Sequence, residues 1–242
     1  MAKYNTFVVC DCRRRKNLLV TSSARKAKGE LCTGIKVEVW NENTHMPKEE
    51  MNKEGERIMA YDMKIEILRH PEKEDWERCK MLALNTVGKK YAGTEITDNW
   101  KRQILKAEHS PIRTLMFTIR LTIPYFVSVH LVRHKIGIEH YVQSQRNDRQ
   151  TNYDRELAPQ NAMVSHIIEV NAEQLMFMAR RRLCGQADAT TRFVMTHICI
   201  EVCKTNPEFK DFLKPMCEYR GGCPEFKPCG YWEANHHDVQ TD

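Results

Sequence analysis

The chain has 242 residues, 41% hydrophobic content and a formal net charge of +6, which provides one substantial core with a small appendage and a charge too dilute to name nucleic acid as the partner. No apolar run reaches the roughly 18–20 residues that would span a bilayer, and the start lacks the order of a signal peptide, so no membrane partner and a cytoplasmic location are expected. Ten cysteines in a chain of this length, with its own core, read as reduced thiols rather than as a disulfide framework.

In chain order, residues 6–40 read as a small β-rich unit with a basic turn over 13–17. Residues 41–56, charged and nearly free of large apolar groups, read as a linker. Together residues 1–60 make an N-terminal extension. Residues 63–68 alternate as a strand does, and Trp76, Cys79, Leu82 and Ala83 stand at helical spacing. A second helix over 98–108 precedes a Ser-Pro break. Residues 113–123 then form a strand with Leu115, Phe117, Ile119 and Leu121 on one face. Pro124 ends that strand and suits the first turn of a helix over 124–135. Residues 136–160 are polar and show little periodicity, which marks the site-forming loop. A strand over 161–170, a helix capped by Asn171 and a long helix over 187–204 follow, and residues 216–242 form a cysteine-containing tail.

The chemistry concentrates in 132–146, VRHKIGIEHYVQSQR, where Arg133, His134 and Lys135 follow an apolar helix and Ser144, Gln145 and Arg146 follow on the loop. Guanidinium groups bind phosphate bidentately and hydroxyl donors complete such a cage, although basic residues at a helix end also simply complement the helix dipole. This Arg-His-Lys and Ser-x-Arg pattern resembles the signature of flavin-dependent thymidylate synthases, written Arg-His-Arg, seven residues, Ser and an Arg two further on. Lys135 stands in place of the third basic residue, and eight residues separate it from Ser144, leaving Gln143 at the strict position. Around it, the Ser-Pro, strand, Pro and helix from Ser110 to Lys135 resemble the same family. So do Arg155 with Pro159, the Asn171-Ala172 pair and Arg182, over 62–215 in one order.

The resemblance implies an α/β (α+β) domain of mixed sheet and long helices over 61–215, with the small β-rich extension before it. It implies conversion of dUMP to dTMP with methylenetetrahydrofolate as one-carbon donor and FAD reduced by NADPH, in a homotetramer whose sites are shared between subunits. Carried over by position, His130, Arg133, Ser144, Gln145, Arg146, Arg155 and Arg182 would hold dUMP. Ser110, Arg133, His134, Lys135 and Asn171 would contact FAD, Ser110 from a neighbouring subunit. Arg182 would be catalytic, favouring negative charge on the pyrimidine so that carbon 5 becomes nucleophilic. Thr114, Glu173 and Phe177 depart from the family pattern, and a carboxylate at 173 calls for a compensating cation. A related pyrimidine-modifying or nucleotide-binding protein of the same fold, and a basic nucleic-acid-binding protein, are the alternatives. In the tail, Cys217, Cys223 and Cys229 lack the two-to-four-residue ligand spacing of zinc sites, so no metal site is expected and packed, reduced thiols are.

Overall fold

A computed structural model describes residues 49–51, 57–59, 61–149 and 154–236. The β-rich unit over 6–40, its basic turn and His237 lie outside the described residues. The chain divides between Asp62 and Met63 into two compact units. In the first, β1 (Glu49–Met51) pairs antiparallel with β2 (Arg57–Met59). The linker expected over 41–56 is thereby corrected at its end. A ribbon whose backbone groups satisfy one another needs no apolar alternation, so hydropathy does not reveal it.

The second unit is built on β3 (Lys64–Arg69), β4 (Met116–Pro124), β5 (Ile138–Val142) and β6 (Met163–Asn171), in the spatial order β3-β4-β6-β5. The α+β class is as expected. Within it every pairing is antiparallel rather than mixed, from the β3–β4 register through β4–β6 to β5–β6. Phe117, Ile119, Leu121 and Ile123 of β4 and Val164, Ile168 and Val170 of β6 are buried, as the period-2 pattern requires. Helix α1 (Lys73–Asn85) buries Trp76 and Cys79, and α2 (Asp98–Lys106) buries Ile104 and Leu105. Helix α3 is Tyr125–Leu131, α4 is Ala172–Arg182 and α5 is Ala189–Thr205. Helix α5 is buried at every position from Thr191 to Thr196, so it is a central helix and its sequence is apolar on more than one face.

Among its described residues, the tail carries two short helices, α6 (Met216–Arg220) and α7 (Tyr231–Asn235). Among the described residues no helix is long and apolar enough to cross a membrane.

Two local features place the site. Asn171 caps α4 as expected, its Oδ1 accepting the Gln174 N–H at 2.9 Å. The polar stretch after α3, read as loop, contains β5, whose pattern leaves Glu139 and Tyr141 outward and buries only Ile138. An edge strand pairs on one side and needs few apolar residues, which is why its alternation was too short to read.

Candidate active site

Helix α3 stops at Leu131, four residues short of the expected end, and the His134 N–H turns back to the Leu131 carbonyl at 3.0 Å. The basic triplet therefore sits on a turn, with Arg133 and Lys135 exposed and His134 only 7% exposed. From the end of α4, Arg182 donates through Nε to His134 Nε2 at 3.0 Å and through a terminal nitrogen to the His130 carbonyl at 2.7 Å. Arginine always donates, so His134 Nε2 must accept and the imidazole is neutral with its proton on Nδ1. The Gln174 amide lies 3.2 Å from Nδ1, and this assignment turns its oxygen toward the ring. Burial first, then the charges of Arg182, His140 and Arg181, lower the His134 pKa to about 4.

Behind the turn lies a polar chain that sequence reading did not single out. His140 Nε2 is 2.8 Å from the His134 carbonyl, His140 Nδ1 is 3.0 Å from His166 Nε2, and Ser128 Oγ is 3.1 Å from His166 Nδ1. The carbonyl can only accept, so His140 donates to it and His166 donates to His140. Ser128 then donates to His166. One direction satisfies every group with both rings neutral, and burial lowers the His166 pKa to about 4. His166 stands at a core-facing position of β6 between Val164 and Ile168. A polar residue on the apolar face of a strand was the available signal.

Arg133, His134, Phe177, Arg181, Arg182, Cys184, Gln186, Ala187 and Glu225 line an open cleft of about 360 Å³. Among the described residues none of its three arginines has a carboxylate ion-pair partner, although Glu225 shares the lining. Burial and the neighbouring Arg133 and Arg181 charges lower the Arg182 pKa, as expected for a cation held with too few anions. Phe177 stands edge-on to His134 with centroids 6.0 Å apart, and the Arg181 guanidinium lies 5.7 Å from its ring. The cleft thus combines convergent cations, a neutral hydrogen-bonding ring and an aromatic wall.

Of the expected site residues, Arg133, His134 and Arg182 meet in this cleft. His130 adjoins them, its carbonyl on Arg182 and its Nδ1 2.7 Å from Thr191 Oγ1. Lys135, Ser144, Gln145, Arg146 and Arg155 do not line it. Arg146 is held bidentately by Asp148 at 2.9 Å through both nitrogens, the Ser144 hydroxyl accepts the Arg146 N–H at 3.3 Å, and the Arg155 N–H bonds Asn147. Gln143 is used in the sheet, exchanging bonds with Ser165 at 2.8 and 3.1 Å. Ser110 opens a 3-10 helix, Ser110–Thr114, at the other end of α4 from Arg182. At 1.5 Å per residue, Asn171 and Arg182 are about 16 Å apart along that helix.

The carboxylate of Glu173 is answered by Arg113, which binds it through two nitrogens at 2.8 and 3.1 Å. Asn171 is occupied as a cap, and its amide packs against Gly137 on the basic turn. Gly137 has φ +71°, and a Cβ there would lie 2.4 Å from Asn171 Nδ2. Gly137→Ala is expected to cost about 2 kcal/mol, combining a left-handed alanine with a displaced cap, measured by urea unfolding against Gly93→Ala as a control. Gly93 shares the positive φ but meets nothing within 4 Å.

A four-stranded antiparallel sheet packed by helices, with a cationic cleft at the C-terminal end of α4, defines a mixed α/β protein with its candidate site on one helix end and one turn. No family model matches the chain, and no curated protein matches it. Among solved structures it is similar to the crystal structure of a UMP/dUMP methylase PolB from Streptomyces cacaoi bound with 5-Br dUMP. The TM-score is 0.48 at 12% identity, covering 66% of this chain and 95% of that one.

Proposed function

We propose that the chain is a pyrimidine-nucleotide-modifying enzyme of the flavin-dependent thymidylate synthase type, methylating dUMP to dTMP. One observation carries the reading: the Arg182 guanidinium is pinned by two neutral acceptors, His134 Nε2 and the His130 carbonyl, and its charge is left for a ligand in a cleft shared with Arg133 and Arg181. Such a group matches a uracil ring whose N3 and adjacent carbonyl take up negative charge, since a preorganised cation stabilises that charge without reorganising. Arg133 and Arg181 offer forks for phosphate, and Phe177 offers a face for a planar ring.

The basic turn also suits FAD: Arg133 in the cleft and the exposed Lys135 outside its lining would meet the phosphates, with His134 beside the ring system. When bound and reduced by NADPH, FAD would supply the reducing equivalents that turn the one-carbon unit of methylenetetrahydrofolate into a methyl group. The protein's part is to orient and polarise the pyrimidine through Arg182 and to keep His134 neutral, so that it accepts from Arg182 instead of repelling it. Ser110 lies at the far end of α4 from the cleft, which suits its contribution to a neighbouring subunit's site in a homotetramer.

The test is the absorption spectrum of the purified protein with FAD, before and after dUMP and NADPH, followed by product analysis with dUMP and dCMP. Bound flavin that shifts with dUMP and bleaches with NADPH, with dTMP as product, is the expected result. Protein that takes up dUMP but no flavin under any condition would overturn the flavin mechanism and leave a nucleotide-binding relative. Binding to long DNA with a steep salt dependence and no dUMP affinity would favour a nucleic-acid partner.

A further inference from the structure

Behind the basic turn, polar side chains stand where the core is otherwise apolar. Ser128 of α3 is 1% exposed, and His166 of β6 is fully buried between Val164 and Ile168. Burying such groups costs free energy that a complete set of hydrogen bonds offsets. The β5–β6 register decides where they meet. His140 stands opposite Ile168 and Val142 opposite His166, so the two imidazoles are diagonal neighbours on one face of the sheet. A slip of one residue would send His140 to the other face.

Neither imidazole lines the cleft, nor does Ser128. The chain of bonds runs from Ser128 through His166 to His140 and stops at the His134 carbonyl, 2.8 Å from His140 Nε2. A carbonyl oxygen accepts a hydrogen bond but takes up no proton near neutral pH, so what the chain fixes is a backbone position. The last carbonyls of a helix have no partner within it. At the end of α3 the Ser128 carbonyl accepts the Val132 N–H at 3.0 Å, the Leu131 carbonyl the His134 N–H at 3.0 Å, and the His130 carbonyl the Arg182 side chain at 2.7 Å. His140 continues the set into the turn. His134 is thereby held twice, through its main chain from β5 and through its ring from α4, where Arg182 Nε lies 3.0 Å from Nε2.

We propose that His140 is a positioning residue, which by holding the His134 carbonyl fixes the His134 ring as the acceptor that aims Arg182 into the cleft. The two acceptors that hold Arg182 both lie between residues 130 and 134, so a shift of this turn moves the guanidinium with it. A misplacement of about 1 Å in a catalytic group can lower a rate by about 10²-fold. Both nitrogens of His140 are in use, Nε2 donating to the turn and Nδ1 accepting from His166 at 3.0 Å, so the ring cannot turn over without breaking both bonds. The kinetic consequence rests on the cleft being the pyrimidine-nucleotide site proposed above, whereas the hold on His134 rests on the geometry alone.

Two substitutions in the full-length protein separate the ends of the His140 ring. His140→Gln sets an amide nitrogen where Nε2 stands, keeping the donor to the His134 carbonyl and losing the acceptor for His166. His140→Asn sets an amide oxygen where Nδ1 stands, keeping that acceptor and losing the donor. The His134 imidazole is titrated by NMR in both variants and in the wild type, without any substrate. In His140→Gln it should keep its low pKa, and in His140→Asn the loosened ring should move toward the ordinary histidine value. Both variants remove the same His140 charge from around His134, so the difference between them reports position. In dTMP formation His140→Asn should lower kcat about tenfold or more with KM for dUMP within about threefold, and His140→Gln should stay within about threefold of wild type. The double variant His140→Gln, His166→Leu removes the buried donor that His140→Gln leaves unpaired and gives the same comparison if the single variant does not fold. The reverse order, or the same His134 titration in both variants, would overturn the proposal by leaving His140 only a core partner of His166. A wild type that forms no dTMP would remove the nucleotide reading, and the titration would still decide the role of His140.

Discussion

Arg182→Ala is expected to lower dTMP formation by about 10²–10³-fold, the usual effect of removing one preorganised charge donor from a site where negative charge develops. The effect is large because Arg182 performs two jobs at once. Its fork holds the His134 ring and the His130 carbonyl, and the remaining charge faces the cleft. Arg182→Lys keeps the charge but is a single point donor on a flexible stem, so it cannot hold both acceptors and is expected to recover only a small part of the loss. A readout besides turnover follows from the electrostatics. The Arg182 charge is among the causes that lower the His134 pKa, so the alanine variant should raise that pKa, read from the imidazole resonances as pH is varied. Unchanged turnover, with His134 titrating as before, would remove Arg182 from the machinery.

Stability should fall steeply as the solution is acidified from about pH 6.5 to about pH 4. Burial lowers the pKa of His134, His166 and His197 to about 4 each, from the ordinary histidine value of 6.5. In that window the unfolded chain binds protons that the folded chain does not, so the unfolding free energy decreases as pH falls and levels off below the folded pKa values. Each histidine contributes at most about 3 kcal/mol, and His134 and His166 share His140 as a neighbour, so their contributions are not independent. The combined loss is comparable to the whole stability of an ordinary domain, about 5–15 kcal/mol. Urea unfolding at pH 7 and at pH 4.5 measures it.

His197 separates the contributions. Its Nε2 is buried without a hydrogen-bond partner, and its ring packs 4.5 Å from Phe193. His197→Leu should reduce the pH slope by about one proton while keeping neutral-pH stability equal or higher, because it removes an unsatisfied polar atom from the core. A slope unchanged by that variant would place the titration elsewhere.

Elements whose signal is local were legible in the residues. The alternation of Phe117, Ile119 and Leu121, the Asn171 cap and the helical spacing of Trp76 and Cys79 all depend on neighbours within a turn or a strand, and the structure has them where the pattern put them. Arg133, His134 and Arg182 line one cleft, a meeting that no local rule implies, and the roles given to them rest on resemblance alone. What the sequence could not supply is everything that depends on which surfaces meet. Strand β5 became a strand because β6 offered it an edge, not because its own five residues demand one. His166 is functional-looking only once β5 brings His140 across from it, at 3.0 Å. Arg113 answers Glu173 from sixty residues away. In each case the chemistry arises from side chains distant in sequence, and only tertiary packing sets their distance, their burial and therefore their charge.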